Sequence, residues 1–440
     1  MKTPLDVSGL RLKSAWLPIL VGLLLLMQII SPYRGWIILL AGLGGVWALS
    51  AFWARSLARH LHFTREMRFG WAQVGDHLVE RFTLSNDGVA PALWVEVVDR
   101  STLPGYNASR GTGVSGDSSI RWHKESVCGR RGLFYLGPTW LNTGDPFGIY
   151  EVTWEHSATM PLLVLPPIVP LPAIEVAPGG RTGEGHPRSN ALERTVSVSS
   201  VRPYAPGDSR RWIHWKVSAH RDELFVRLFD GTPSGDWWIL LDMDRYVQAG
   251  TGEDSTAELG VILAASLADR GLRAGKAVGL MAHGKELVWL PPRAGEGQRW
   301  EILRALALVS QGTSPLSDLL ARVKPVLGHR DSLVIITPST DALWVEALLP
   351  LIRRGAVPTV LQVALTPEVG AAEPAVEAGV RERAEGSLAQ LGVAHYTITG
   401  DLLERPEAHP GKQGQWQWKV LGTGRVVPVH HPVQAAWKEL

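Results

Sequence analysis

The sequence has a single cysteine, Cys128, so it can form neither an internal disulfide nor a thiolate cluster for zinc or iron–sulfur. That scarcity suits a reducing compartment. An excess of one charge is missing as well: 44 Lys and Arg stand against 42 Asp and Glu, a formal net charge of +2. No global field attracts nucleic acid, and no nucleic-acid partner is expected.

Standard catalytic signatures are also missing. Gly271-Leu-Arg-Ala-Gly275-Lys276-Ala277 falls short of a phosphate loop in spacing and lacks its hydroxyl. Gly113-Val-Ser115-Gly-Asp117 fails at the last position of a nucleophile elbow. His60, His62, His123, His430 and His431 occur singly or in pairs, without the His-Glu-x-x-His spacing that puts two imidazoles and a base on one helix face. Cys128 has no visible relay. These gaps argue against a hydrolase, an ATPase or a zinc enzyme, so a non-enzymatic chain without catalytic residues is expected.

What the sequence does have is tryptophan, 19 of them, and two long apolar runs near its start. Ala15–Ile30 and Gly35–Trp53 carry no charge and are separated only by Ser31-Pro32-Tyr33-Arg34. Residues 1–62 are therefore expected to form a transmembrane helical hairpin, with helices over about 15–33 and 35–53. Lys2, Arg11 and Lys13 precede the pair and Arg55, Arg59, Arg65 and Arg68 follow it, against Arg34 alone in the loop. The positive-inside rule then makes both ends cytoplasmic, in a multi-pass membrane protein. A cleaved signal peptide is the alternative, but no small-residue cleavage pattern precedes the second run.

From 63 to 172 short alternating runs such as LVERFTLSNDG, LWVEVVDR and GLFYLGPTWLN are broken by Gly, Asn, Asp and Pro, which predicts a β-sandwich-like domain. Asn86-Asp87-Gly88 reads as a hairpin turn and Gly105 to Ser119 as a polar loop. Residues 173–232 read as a linker and a dense motif. Over 233–402 apolar strands such as Trp237–Leu241 and Ser332–Ile336 alternate with amphipathic helices, the pattern of a doubly wound α/β sheet. The tail, 403–440, gives no clear period. The chain is thus read as multidomain.

The motif runs RPYAPGDSRRWIHWKVSA from Arg202 to Ala219. Pro206-Gly207 predicts a sharp turn, and Asp208 is placed to cap a helix from Ser209. Arg202, Asp208, Arg211, His214 and Lys216 together could receive a phosphate or carboxylate. That is the basis of an alternative function, a membrane-bound hydrolase or transferase holding an anionic group on the Arg202–Lys216 cluster. The preferred reading is structural: Asp208 as a cap, and Trp212, Ile213 and Trp215 packed into a junction between domains. A second candidate is the acidic pair Asp242 and Asp244, which follows a predicted strand where open α/β sheets bind ligands and could hold Mg²⁺ through oxygen.

The run from Arg202 to Phe229 resembles the signature of the bacterial family called domain of unknown function 58: Arg-x-Tyr-x-x-Gly-Asp, Arg-x-Ile-x-Trp-Lys-x-Ser-Ala, then Val-Arg-x-Phe. Arg202, Tyr204, Gly207, Asp208, Arg211, Ile213, Trp215, Lys216, Ser218 and Ala219 occupy those positions. Arg131-Gly132 to Gly137-Pro138 and Asp145-Pro146-Phe147-Gly148 look like the family's sandwich region. The resemblance implies a membrane-anchored protein with a von Willebrand factor A-like domain, a fold used to bind proteins. It also implies an adaptor role beside a MoxR-type AAA+ ATPase or a transglutaminase-like membrane protein. Such domains carry a metal site of the form Asp-x-Ser-x-Ser, where this chain has Asp242, Asp244 and Tyr246, so both serine hydroxyls are gone. No cofactor is expected beyond a possible Mg²⁺ there.

Overall fold

The computed structural model describes residues 6–171, 174–177, 198–204, 213–221, 223–229, 236–327, 331–341, 343–365 and 384–400, with short strands at 417–420, 426–430 and 438–439. The chain divides into two compact units, one of 1–167 with 303–308 and 405–440, the other of 168–302 with 309–404.

In the first unit two apolar helices come first, Trp16–Ile30 and Arg34–His60. Among the described residues only the second is long and apolar enough to cross a membrane. At 1.5 Å per residue the first, with 15 residues, spans roughly 22 Å of a hydrocarbon core about 30 Å thick. Leu17 and Val21 of the first helix pack with Leu40, Leu43, Val46 and Trp47 of the second. The second helix runs on past Trp53, the expected end of the apolar span, because Ala54 and Leu57 are buried in the core of the sheets that follow.

Those sheets are antiparallel for the most part. A five-stranded sheet has the order Asp6–Leu12, Tyr150–His156, Thr139–Gly144, Ala92–Asp99, Arg110–Val114. A four-stranded sheet contains Leu61–Met67, His77–Asn86 and Ser118–Val127, edged by the short strand Lys438–Glu439. A three-stranded sheet is made of Trp71–Gln73, Met160–Leu165 and Gly132–Leu136. Strict alternation in His77–Asn86 buries Leu78, Glu80, Phe82, Leu84 and Asn86, as the period of two dictates. Phe82 stacks on Trp122 with ring centroids 5.5 Å apart, and both share one core with Phe63, Leu141, Val152 and Trp154.

Three local expectations change here. Asp6–Leu12, whose basic residues look like a membrane flank in the sequence, is an edge strand on Tyr150–His156. Asn86-Asp87-Gly88 is no tight hairpin. Asn86 is buried, donates from Nδ2 to Ala90 O (2.8 Å) and accepts from Gly88 N (3.1 Å), so its amide holds a wider loop that carries the chain to the other sheet. The stretch 105–119 contains a strand, Arg110–Val114, made possible by glycine: a Cβ on Gly113 would lie 2.7 Å from Leu93 O.

The second unit is built on a six-stranded sheet in the order Leu287–Arg293, Val278–His283, Trp237–Leu241, Ser332–Thr337, Val357–Ala364, Ala394–Thr399. All neighbours are parallel except Leu287–Arg293, which joins Val278–His283 antiparallel. Both faces are covered, as near-continuous apolar strands require. Trp238, Leu240, Leu333 and Ile335 share a core with Leu316–Val323 and Leu343–Arg353. On the other face lies Thr256–Arg273, where Gly260 lets the helix approach Leu241 and Ile336.

Residues 168–171 and 174–177, expected as the end of the sandwich and the start of the linker, belong to this unit. Val169 N donates to Ser266 Oγ (3.0 Å), Arg270 Nη2 to Ile174 O (2.8 Å), Ala177 N to Thr359 Oγ1 (3.0 Å) and Ser332 Oγ to Ala177 O (2.9 Å). Ser332 and Thr359 stand at the beginnings of parallel strands. The strap therefore closes the amino-terminal edge of the sheet and leaves the carboxyl edge to the loops.

Candidate functional site

At the carboxyl edge the chain leaves Trp237–Leu241 through Asp242-Met243-Asp244, and all three residues are buried. Asp242 takes its position from the neighbouring strand Ser332–Thr337 and from its own loop. Its amide donates to Ile336 O (2.9 Å), its Oδ2 accepts the Thr337 hydroxyl (2.7 Å) and its Oδ1 accepts the amide of Asp244 (3.0 Å). Asp244 repeats the device one step on, its Oδ1 accepting the amide of Tyr246 (3.2 Å). Gln248 Nε2 donates to Asp242 O (3.0 Å), and Thr256, at the start of its helix, donates to Gln248 Oε1 (2.8 Å). From the next strand Thr337 Oγ1 accepts Ser339 N (3.0 Å). Gly312 closes the loop: its amide donates to Met243 O (2.9 Å) and its carbonyl accepts from Arg245 N (3.0 Å).

The electrostatics follow from that burial. Desolvation pushes the Asp242 carboxyl up to about 6, against the opposing hydrogen bonds from Thr337 and Asp244 N, and the Asp244 charge adds to the rise. Tyr246, which stands where the metal-binding pattern has a second serine, turns outward with its ring 71% exposed and its hydroxyl accepting from Arg245 (2.8 Å). Mg²⁺ demands a near-octahedral set of oxygens and dehydrates reluctantly. The two carboxylates here already accept the loop's own donors, and the described residues contain no group of three His, Cys, Asp or Glu able to hold a metal. The donor set does not fit a dedicated Mg²⁺ site.

The signature segment is described in part. Gly207, Asp208 and Arg211 lie outside the described residues, as do Ser209 and Trp212. Arg202 belongs to the strand Val198–Pro203, paired antiparallel with Phe225–Phe229, and Tyr204 N donates to Leu224 O (2.7 Å). Ile213 is buried and bridges to Val226. Because Ile213 is strand-like, the described helix starts later than the sequence predicts, at Trp215, and runs to Arg221. His214 precedes it: its carbonyl accepts from Val217 N and Ser218 N (both 3.0 Å), and its Nδ1 lies 3.3 Å from Val217 N. Ser218 is buried and its Oγ accepts Phe225 N (2.9 Å), so the serine of the motif clips the helix to the strand.

Trp215 overturns the expectation that it packs inward. It is 65% exposed, and Lys216 beside it is exposed too. Trp215 opens the helix, and it is Ser218, one turn later, that meets the strand. Sequence reasoning missed Thr337, Gln248 and Thr256 as partners at the Asp242 edge; it named His214 and Ser218 in the motif without the contacts that they make. Only Thr337 had a signal, a hydroxyl closing the apolar run Ser332–Ile336, where a ligand-edge residue belongs.

Comparison with known proteins bears on the second unit above all. The family model described as "Protein of unknown function DUF58" matches residues 200–368, which include both the signature segment and the Asp242 edge. The chain is 26% identical over 318 residues to "Uncharacterized protein YeaD" of Bacillus subtilis (strain 168), covering 69% of this chain and 75% of that one. It is 28% identical over 121 residues to "Uncharacterized protein Rv1480" of Mycobacterium tuberculosis (strain ATCC 25618 / H37Rv), covering 27% of this chain and 38% of the relative. A β-glucosidase from Listeria innocua solved with glucose aligns at a TM-score of 0.16 and 10% identity, over 24% of this chain and 16% of the other, a likeness too slight for any inference.

Proposed function

We propose, from a chain whose residues 200–368 belong to the DUF58 family, a membrane-anchored protein-binding role in which the second unit docks a protein partner and turns over no substrate. The observation that carries the reading is the division of labour in the signature helix. Ile213, Ser218, Phe225 and Val226 are buried in holding helix to strand, while Trp215 and Lys216 are left outward. An exposed indole on a rigid, clipped helix is the side chain that most often anchors a protein interface.

The sheet supports the same role. Its first strand, Trp237–Leu241, is central, with one antiparallel strand at an edge, the order expected of a von Willebrand factor A-like domain. The polar groups at its carboxyl edge hold one another, which suits a surface of fixed shape better than a turnover site. Anchoring is supported by the 27-residue helix Arg34–His60 and by the short helix packed against it. A two-pass hairpin with the soluble units in the cytoplasm is the topology that the flanking Arg and Lys favour. By family resemblance the expected partner is a MoxR-type AAA+ ATPase or a transglutaminase-like membrane protein.

The test is a photo-crosslinking residue in place of Lys216, irradiated in native membranes and followed by mass spectrometry. A recurring protein adduct that disappears in Trp215→Ala is expected. Adducts to no recurring protein, with normal insertion of the chain, would refute the docking role.

A further inference from the structure

Where the two N-terminal helices meet the five-stranded sheet, that sheet end carries exposed apolar side chains. We propose that it is a lipid-contacting collar seated in the interfacial layer of the bilayer, with the turn Asp145–Gly148 as its wedge. The proposal rests on the membrane-anchored reading above and adds a second contact with the bilayer, made by the sheets rather than the helices.

Both helices are tied to this one end. The edge strand Asp6–Leu12 finishes with Leu12 opposite Tyr150, and the amides of Lys13 and Ser14 donate to Ile149 O (2.8 and 3.2 Å) immediately before the helix that begins at Trp16. Ile149 packs with Leu17 and Val21 of that helix. From the second helix Trp47 Nε1 donates to Tyr150 OH (2.9 Å), and Trp53 Nε1 donates to Pro91 O (2.9 Å), just ahead of the strand Ala92–Asp99. The turn between Thr139–Gly144 and Tyr150–His156 thus sits beside the roots of both helices.

The turn is built to present an apolar tip. Its one ionisable residue, Asp145, is buried and points inward, accepting the amides of Phe147 (2.9 Å), Ile149 (2.9 Å) and Tyr150 (2.5 Å). With the backbone so fixed, Phe147 stays 50% exposed at the tip. Trp94 lies over Gly144, immediately before the turn, where a Cβ would come within 3.4 Å of the indole. Leu12, Trp16, Leu93 and Trp94 are likewise exposed at this end. A sheet end meant for water would carry polar turn residues. Here the polar group is withdrawn and the aromatic ones are offered, as in the aromatic belts of membrane proteins. Exposed Arg55 supplies a cation that anionic headgroups attract, and exposed Lys13, whose ammonium lies 3.9 Å from Glu151, can turn to supply a second.

The experiment uses the full chain in liposomes of phosphatidylcholine and phosphatidylglycerol, with a nitroxide on Phe147→Cys. Cys128 needs no removal, being wholly buried, with burial, aided by the nearby Asp76 charge, pushing its thiol up to about 12; the unsubstituted chain is the labelling blank. Collisions with lipid-soluble oxygen and with a water-soluble nickel chelate are compared with those at two reference positions. Ile29→Cys reports the apolar helix, and Ser157→Cys reports the far end of the same sheet, roughly 20 Å along a strand. The label at 147 is expected to favour oxygen over nickel several-fold more than the label at 157, and less than the label at 29. Equal behaviour at 147 and 157, with 29 still oxygen-favoured, overturns the collar and leaves the anchored reading standing. Nickel access at all three positions overturns both. Should Phe147→Cys fail to fold, Pro146→Cys in the same exposed turn carries the same expectations.

Discussion

Glu80 and Asp99 in the first unit and Asp242 and Asp244 in the second are all withdrawn from water, yet only the first pair has a cation between its members. Arg65, buried on Leu61–Met67, donates from Nε and Nη2 to both oxygens of Glu80 (2.8 Å each) and from Nη1 to Asp99 (2.8 Å) and Thr139 (3.1 Å). Ser101 accepts from Nη2 (3.0 Å), and Tyr106 donates its hydroxyl to Glu80. One guanidinium thus serves two carboxylates, with the Tyr106 hydroxyl as a further donor to Glu80, and the cluster pins the loop after Asp99 to the core. At the α/β edge no described ion pair forms on Asp242 or Asp244, and Arg245 acts on Asp244 only through its charge. Neutral hydroxyl and amide donors hold these carboxylates, and the cost of burial shows as a carboxyl that protonates near pH 6. A guanidinium set between carboxylates makes a structural fastening, whereas carboxylates held by neutral donors leave a polar edge sensitive to its surroundings.

The sharpest way to break the contrast is to remove the cation. Arg65→Met leaves Glu80 and Asp99 buried and unpaired, and a loss of about 3–5 kcal/mol is expected from breaking a buried pair by one partner. Thermal unfolding of the detergent-solubilised chain would show it as a large fall in Tm. A Tm within error of the parent would mean that the network contributes nothing.

A smaller effect is expected at the other cluster, with a distinct dependence on pH. The folded-state value for Asp242 lies above its ordinary 3.8, so folding favours the protonated form. Its contribution is fully present below about pH 4 and is lost as pH rises through 6, a change of about 3 kcal/mol for a shift of roughly two units. Asp242→Asn cannot ionise and keeps a carbonyl for Asp244 N. Its Tm should exceed that of the parent by a margin that grows between pH 4 and 6 and is flat above. A margin independent of pH would refute the assignment.

Two further outcomes are near zero by design. Trp215→Ala, at an exposed position, should change stability by no more than about 0.5 kcal/mol while abolishing the crosslink at 216. A large fall in Tm would make Trp215 structural instead. Millimolar Mg²⁺ should raise Tm hardly at all, since a site that is at most half filled adds only about 0.4 kcal/mol. A rise of several degrees would show that the edge rearranges to take the ion.

Much of this was legible in sequence because it depends on periodicity. Uncharged runs marked helices over about 15–33 and 35–53, where the described ones span 16–30 and 34–60, and alternation of two marked strands such as His77–Asn86. Apolar runs between amphipathic stretches marked the α/β sheet. The density of the Arg202–Ala219 motif and the position of Asp242 at a strand end drew attention to the right places. Local chemistry, however, did not reveal what those residues touch. Arg65 looked like one more basic residue on a membrane flank and is the buried centre of an ion network. Asn86 looked like a turn signal and is a core residue holding a loop.

The sequence by itself determined where most of the apolar helices and strands lie, since those follow from spacing along a chain whose backbone has few allowed shapes. Tertiary structure alone decided which side chains lose water and which partners they then find. It withdrew Asp145 and left Phe147 outside, turned Trp215 outward, and gave Asp242 a hydroxyl from a strand 95 residues away. Burial and long-range pairing are properties of the packed chain, and those properties set charge state, exposure and the surfaces available for binding.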